Sequence, residues 1–328
     1  MGSLEQAVYA IIISFVVGVI LCPVLIPMLH KLKFGQTVRD DGPQSHLQKQ
    51  GTPTMGGIAF LIAFAVAAAF FMKGNADGTV ILLVTVAYGI IGFLDDYIKV
   101  VKKRSLGLRA AQKLLLQLIV TGIFCWYIFQ SGIGTRVFLP FGNGASIDLG
   151  ILFIPFLFVA VLGTVNGVNL TDGLDGLAGG VTLIVAAFFM IVAWGAGSSI
   201  SPICGAIIGG LLAFLIFNSY PAKVFMGDTG SLALGGFIAS TAFLLKMPIF
   251  ILIVGFIYLL ESISTMLQVG YFKLTKRKYG AGKRLFKMAP FHHHLEQSGW
   301  RETKVVTLFY VATAMLCLIG FLGSKNIF

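Results

Sequence analysis

The sequence predicts an all-α polytopic membrane protein of about ten transmembrane helices, and three observations point there. Of its 328 residues, 57% are hydrophobic and only 11% charged, a balance too apolar for a soluble domain of this length. Apolar runs of about 20 residues recur along the chain, the length a helix needs to cross a hydrocarbon core. The net charge of +11 comes from Lys and Arg gathered between alternate runs. That bias reads as membrane topology and attraction to anionic lipid or phosphate, and no nucleic-acid partner is expected.

Spans are predicted near 7–29, 55–72, 79–95, 113–130, 151–166, 177–194, 202–218, 230–246, 248–270 and 304–323. The first run follows only Glu5 and precedes Lys31 and Lys33, the reverse of a cleavable signal, so it is expected to stay inserted. Gln6 argues against myristoylation of Gly2. The runs 151–166 and 202–218 are short, which predicts helices that end early at a cavity. With loops assigned to alternate sides, one side collects Lys31, Lys33, Arg39, Lys49, the group from Lys99 to Lys113, Lys223 and the group from Lys273 to Lys304. Only Lys73, Arg136, Lys246 and Lys325 fall on the other. The basic side is expected to be cytoplasmic, with both termini periplasmic or extracellular. In the outer segment Ser131–Gly150, two short runs around Asn143-Gly144 predict a small β-hairpin. Cys22, Cys125, Cys204 and Cys317 lie in apolar runs without CxxC spacing and are read as packing residues, not a disulfide or zinc site.

The chemistry gathers at Val168-Asn-Leu-Thr-Asp-Gly-Leu-Asp-Gly-Leu-Ala-Gly-Gly180. A carboxylate between two membrane-length runs is costly without a partner or polar cavity, so Asp172 and Asp175 read as functional. Asn169, Asp172 and Asp175 recur at i, i+3 and i+6, which predicts one helical face bearing all three. Capping a helix that starts near Leu177 would explain one acid, but not two and an Asn. Asp95-Asp96 closes the third run. Adjacent acids can gather a divalent cation or supply a base beside it; alternatively they meet water at a helix end, neutralised by Lys99, Lys102, Lys103 and Arg104. Asp228, in Phe225-Met-Gly-Asp-Thr-Gly-Ser231, either caps the eighth run or presents a carboxylate with free N–H groups to an anion and its metal. Phe225 could stack on a planar base or simply pack.

Consecutive His292, His293 and His294 diverge around a helix and do not suit zinc. Beside Lys283, Arg284 and Lys287 they suit phosphate or sugar oxygens. Lys49 and Thr54 add a phosphate-sized polar group before the second run. No P-loop, GxGxxG or HExxH occurs, which leaves soluble nucleotidase and zinc-protease readings without support. Separated acidic clusters among basic loops on one face fit Mg²⁺-assisted phosphoryl transfer, with carboxylates holding the ion and Lys and His stabilising charge.

Gly51-Thr-Pro-Thr-Met-Gly-Gly57, Phe93-Leu-Asp-Asp-Tyr97, Asn169-Leu-Thr-Asp-Gly-Leu-Asp-Gly-Leu177, Phe225-Met-Gly-Asp-Thr-Gly-Ser231 and Ala289-Pro-Phe-His-His-His-Leu-Glu296 resemble the phospho-N-acetylmuramoyl-pentapeptide transferase family. That family belongs to the polyprenyl-phosphate hexosamine-1-phosphate transferases. The resemblance covers essentially the whole chain, which is then one integral membrane transferase domain, 1–328. It implies transfer of phospho-MurNAc-pentapeptide from its UDP conjugate to undecaprenyl phosphate, with UMP released and Mg²⁺ required, in the bacterial cytoplasmic membrane. It also implies that Asp228 binds Mg²⁺, with Asp95 and Asp96 beside metal and lipid phosphate. Lys49, Asp175 and Phe225 would hold uridine; Thr54, Asn169, Asp172 and Asn218 the sugar–phosphate region; His292, His293 and His294 the pyrophosphate or muramoyl end; and Lys113 the lipid phosphate. A homodimer and a broken ninth helix are likewise implied. Glu261 and Gly270 fit the break, and small residues such as Gly205 and Gly209 suit close helix contact. The rival readings are a UDP-GlcNAc transferase of the same superfamily and a divalent-cation or phosphate transporter.

Overall fold

A computed structural model describes residues 3–31, 49, 51–101 and 107–327. Gly2, Lys33, Arg39, Lys102, Lys103 and Arg104, which entered the topology and charge readings, lie outside them. In chain order the helices are α1 (Ser3–Lys31), α2 (Gly57–Ala69), α3 (Ala76–Val101), α4 (Ala110–Gln130), α5 (Phe153–Thr171), α6 (Leu177–Gly195), α7 (Ser201–Asn218), α8 (Gly227–Leu244), α9 (Ile251–Val254), α10 (Phe256–Tyr279), α11 (Phe291–Glu296) and α12 (Glu302–Gly323). Between α4 and α5, β1 (Arg136–Phe138) and β2 (Ser146–Asp148) pair antiparallel, Arg136 opposite Asp148. Asn143 and Gly144 turn this hairpin with φ of 50° and 84°, the left-handed backbone that Asn-Gly favours.

Each predicted run has a helical counterpart, but fewer meet the requirements of a span. Seven described helices are long and apolar enough to cross a membrane, or eight if the pair Pro248–Val254 and Phe256–Tyr279 is one span bent by 80°. Helix α2 has only 13 residues. Helix α8, rich in Gly, Ser and Thr, is buried along its whole length from Thr229 to Leu244. It stands at the centre, with α3, α5, α2 and α6 around it.

Glycine lets these backbones approach. A Cβ on Gly92 of α3 would lie 2.0 Å from the Asp228 carbonyl oxygen, and one on Gly235 would lie 2.5 Å from Val165 Cα in α5. Gly92→Ala is therefore expected to destabilise the protein by about 1–3 kcal/mol through overpacking and to move the start of α8. Thermal unfolding and activity of the purified variant test this; wild-type values in both would contradict it.

Two sequence expectations are corrected, and the close helix contact expected of Gly205 and Gly209 is met inside the chain. Helix α5 is not short: with the turn before it, it runs 22 residues from Gly150 to Thr171. The ninth span breaks at Gly255 rather than at Glu261 or Gly270. A Cβ at 255 would sit 2.8 Å from the Ile251 carbonyl oxygen, whereas Gly270 faces open space. Gly205 and Gly209 pack within the chain, because a Cβ on either would meet the Ala7 or Ile11 carbonyl of α1 at 2.5 or 2.1 Å.

Candidate active site

The cleft forms where the ends of α3, α4, α5 and α8 meet. Its volume is about 600 Å³, and Asp95, Lys99, Leu108, Lys113, Asn169 and Asp228 line it. Asp95 and Asp96 do not meet water at a helix end. Helix α3 continues to Val101, so both face the interior and are only 2% and 3% exposed. Asp95 Oδ1 accepts the Leu108 N–H at 2.7 Å, and Oδ2 lies 2.6 Å from Lys99 Nζ. Asp96 Oδ1 accepts the N–H of Asp228 at 3.2 Å, and Oδ2 accepts the N–H and hydroxyl of Thr229 at 2.9 and 2.7 Å. It thereby caps the first turn of α8 from a different helix, satisfying donors that would otherwise be orphaned.

Asp228 is where the chains of contacts converge. Its Oδ2 accepts from Lys99 and Lys113, both at 2.9 Å, and its Oδ1 accepts from Asn169 Nδ2 at 2.9 Å. Asn169 also donates to Ser231 Oγ at 2.8 Å. Carboxylate oxygens of Asp95, Asp96 and Asp228 lie within 4.8 Å of one another. Hard oxygen donors so grouped suit a magnesium-like cation, which needs only one or two protein carboxylates. Asp95 and Asp228 line the cleft whereas Asp96 commits its oxygens to the backbone and hydroxyl at the start of α8, so Asp228 and Asp95 are the better placed pair.

A second cluster adjoins the first. Lys49 Nζ lies 2.7 Å from Asp175 Oδ1 and 2.6 Å from Glu302 Oε1. Glu302 Oε1 also accepts the Asp175 N–H at 2.7 Å, and Asp175 Oδ2 accepts the Ala222 N–H at 2.9 Å. Burial works against the charge on Lys49, but its hydrogen bonds to Asp175 and Glu302 outweigh this and hold the ammonium above its ordinary range. Asn169, Asp172 and Asp175 do not share one helical face. Asn169 reaches Asp228 from the last turn of α5, which ends at Thr171, and the turn that follows sends Asp175 to Lys49. Nor does either acid cap α6, which Gly176 opens with a φ of 79°. Asp172 keeps part of its surface open, yet burial, together with the charges of Asp228, Asp96 and Asp175, pushes its carboxyl up to about 8.

The remaining candidates divide. Phe225 is half-buried, and its backbone pairs with Pro53 and Gly56, which fixes the Thr54 segment against the entry to α8. Thr54 is buried. Asn218 stitches backbone, accepting the Gly176 N–H at 3.2 Å and donating to the Val224 carbonyl at 2.9 Å. The histidines of α11 do not line the cleft. His292 is wholly buried, His293 Nδ1 is 2.8 Å from Glu296, and His294 Nδ1 accepts the Lys287 N–H at 3.2 Å. Glu302 escaped the sequence reading. An acid opening a helix reads as plain capping, and nothing local joins it to Lys49.

Comparison with known proteins gives first a class, then a family. A family model described as Glycosyl transferase family 4 matches residues 78–246, the stretch from α3 to α8 that builds the cleft. The signature 1 of phospho-N-acetylmuramoyl-pentapeptide-transferase matches residues 49–61. A phospho-N-acetylmuramoyl-pentapeptide-transferase of Clostridium perfringens strain 13 is 51% identical over 319 residues, 96% of this chain and 98% of the relative. One from Clostridium kluyveri is 49% identical over 321 residues, 97% and 99% of the two chains. One from Acetivibrio thermocellus is 51% identical over 326 residues, 98% and 97%. The chain belongs to the phospho-N-acetylmuramoyl-pentapeptide-transferase family.

Proposed function

We propose that this protein transfers phospho-MurNAc-pentapeptide from UDP-MurNAc-pentapeptide to undecaprenyl phosphate, giving lipid I and UMP for peptidoglycan synthesis. The single observation that carries the reading is the shared cleft of Asp95, Asp228, Lys99 and Lys113, in a chain whose relatives bear the transferase name. The cleft faces the cytoplasm of the bacterial inner membrane, both termini lie outside, and the assembly is a homodimer. The basic, exposed stretch from Lys273 to Lys287 supports that orientation.

In this reading Asp228 holds Mg²⁺ with Asp95 beside it. A cation held there would supply positive charge against the diphosphate and the UMP oxygen as that bond breaks. Asp95 takes the proton from the acceptor phosphate, whose oxygen attacks the β-phosphorus as the bond to the UMP oxygen breaks. Lys99 and Lys113 stabilise the charge that develops between them. The direct displacement is preferred to an aspartyl intermediate, because an acceptor phosphate is already a competent nucleophile. Asp96 holds the start of α8, and with it Asp228, in place. Lys49, Asp175 and Phe225 receive the uridine. Thr54, Asn169 and Asp172 flank the sugar–phosphate, with Asn218 fixing the turns around it and His293 and His294 nearer the muramoyl end.

Lys49→Met leaves Asp175 and Glu302 as buried carboxylates without their cation. Breaking such a cluster costs about 3–5 kcal/mol, and the donor KM is expected to rise about tenfold or more. A KM like that of the wild type would remove Lys49 from donor binding. The reading as a whole is tested by following radiolabelled UMP from purified protein given undecaprenyl phosphate and either UDP-MurNAc-pentapeptide or UDP-GlcNAc. Release with the first alone is expected. Release with the second alone supports the neighbouring transferase, and release with neither supports a transporter.

A further inference from the structure

Glu261 and His292 are both 0% exposed, and neither lines the cleft. Glu261 stands in α10, where Oε2 accepts the N–H of Phe291 at 2.6 Å and that of His292 at 3.4 Å, the first two of α11. Its Oε1 lies 3.2 Å from His292 Nδ1, an ion-pair separation without hydrogen-bond alignment. On its other side the imidazole presses on Gly173, where a Cβ would come within 2.1 Å of His292 Nε2. Gly173 belongs to the turn between α5 and α6 that carries Asp172 and Asp175. A carboxylate so deeply buried is costly unless it is paired and hydrogen-bonded. The contacts that compensate it here all lead into α11, and through one rigid ring to the acidic turn.

We propose that Glu261 is a positioning residue for the transfer reaction: acting through His292, it fixes the 172–176 turn, and so Asp175 and the Lys49 cluster, without touching substrate. The pair joins the limb of the broken span below Gly255 to the loop that presents the donor-binding acids. His292 thus serves a different purpose from His293 and His294. It is the wedge between α10 and the turn.

The kinetic half of the test rests on the transferase reading, whereas the structural half does not. Glu261→Gln, Glu261→Asp, His292→Gln and the double variant Glu261→Gln/His292→Gln are compared with wild type as full-length protein in lipid nanodiscs. Amide hydrogen exchange at 171–176 and 291–296 is expected to quicken about tenfold in Glu261→Gln, with α2 and α7 unchanged. The donor KM should rise about tenfold, Glu261→Asp should recover part of that loss, and the double variant should be no worse than the worse single one, the mark of two residues acting as a unit. Unchanged exchange at 171–176, additive losses, or a fall in kcat that merely tracks the folded fraction with KM intact would each overturn the proposal. Wild-type protein that releases no UMP would instead count against the transferase reading, and the exchange data would still decide the positioning role. If Glu261→Gln does not accumulate folded, Gly173→Ala pushes on the same ring from the turn side and must quicken exchange in the same two segments; protection equal to wild type there would overturn the proposal as well.

Discussion

Asp228→Asn is expected to lower turnover by about a thousandfold, the scale on which a preorganised electrostatic contact contributes to catalysis. The side chain is the common partner of Lys99, Lys113 and Asn169. An amide keeps the shape but leaves two ammonium groups facing a neutral group, and it weakens the carboxylate set that suits a divalent cation. Donor binding through Lys49 and Asp175 should survive, because those residues draw their contacts from Glu302 and Ala222. Measuring kcat alongside binding of the UDP-sugar separates the two effects. Turnover near that of the wild type would remove Asp228 from the reaction.

The second large effect belongs to Asp95→Asn. Loss of a general base typically costs about 10²–10⁴ in rate, and the amide would also turn a donor toward Lys99, which now lies 2.6 Å from Oδ2. Turnover should fall within that range while the donor still binds. Trapping a phospho-sugar on an aspartate during the wild-type reaction would instead establish the two-step route.

The sequence made the membrane class plain because hydropathy registers each apolar run separately. Length and hydropathy alone single out seven or eight of the ten runs among the described residues, and α2 and α8 show why the other two fall short of that measure. Helix α8 is apolar enough to be seen, but its Gly, Ser and Thr pack against neighbouring helices on every side, and α2 is simply short. The meeting of Asp95, Asn169 and Asp228 was legible as acids and amides at the same side of successive runs. Pairings between distant segments were not. Lys49 and Glu302 are 253 positions apart, and Asp96 accepts the N–H of Asp228, 132 residues later, in the first turn of α8. Such contacts depend on how helices stack, for which a single sequence carries no periodic signal. The i, i+3, i+6 pattern misled for the opposite reason: a local spacing was read as a helix that the glycine-rich turn interrupts.

The central claim is that Asp228 and its neighbours hold a divalent cation in the cleft. Mn²⁺ binding to purified protein, followed by electron paramagnetic resonance, tests it most directly. One site is predicted in wild type, displaced by Mg²⁺, lost in Asp228→Asn and kept in Lys49→Met. Equal binding in wild type and Asp228→Asn, or a site lost only in Lys49→Met, would contradict the account.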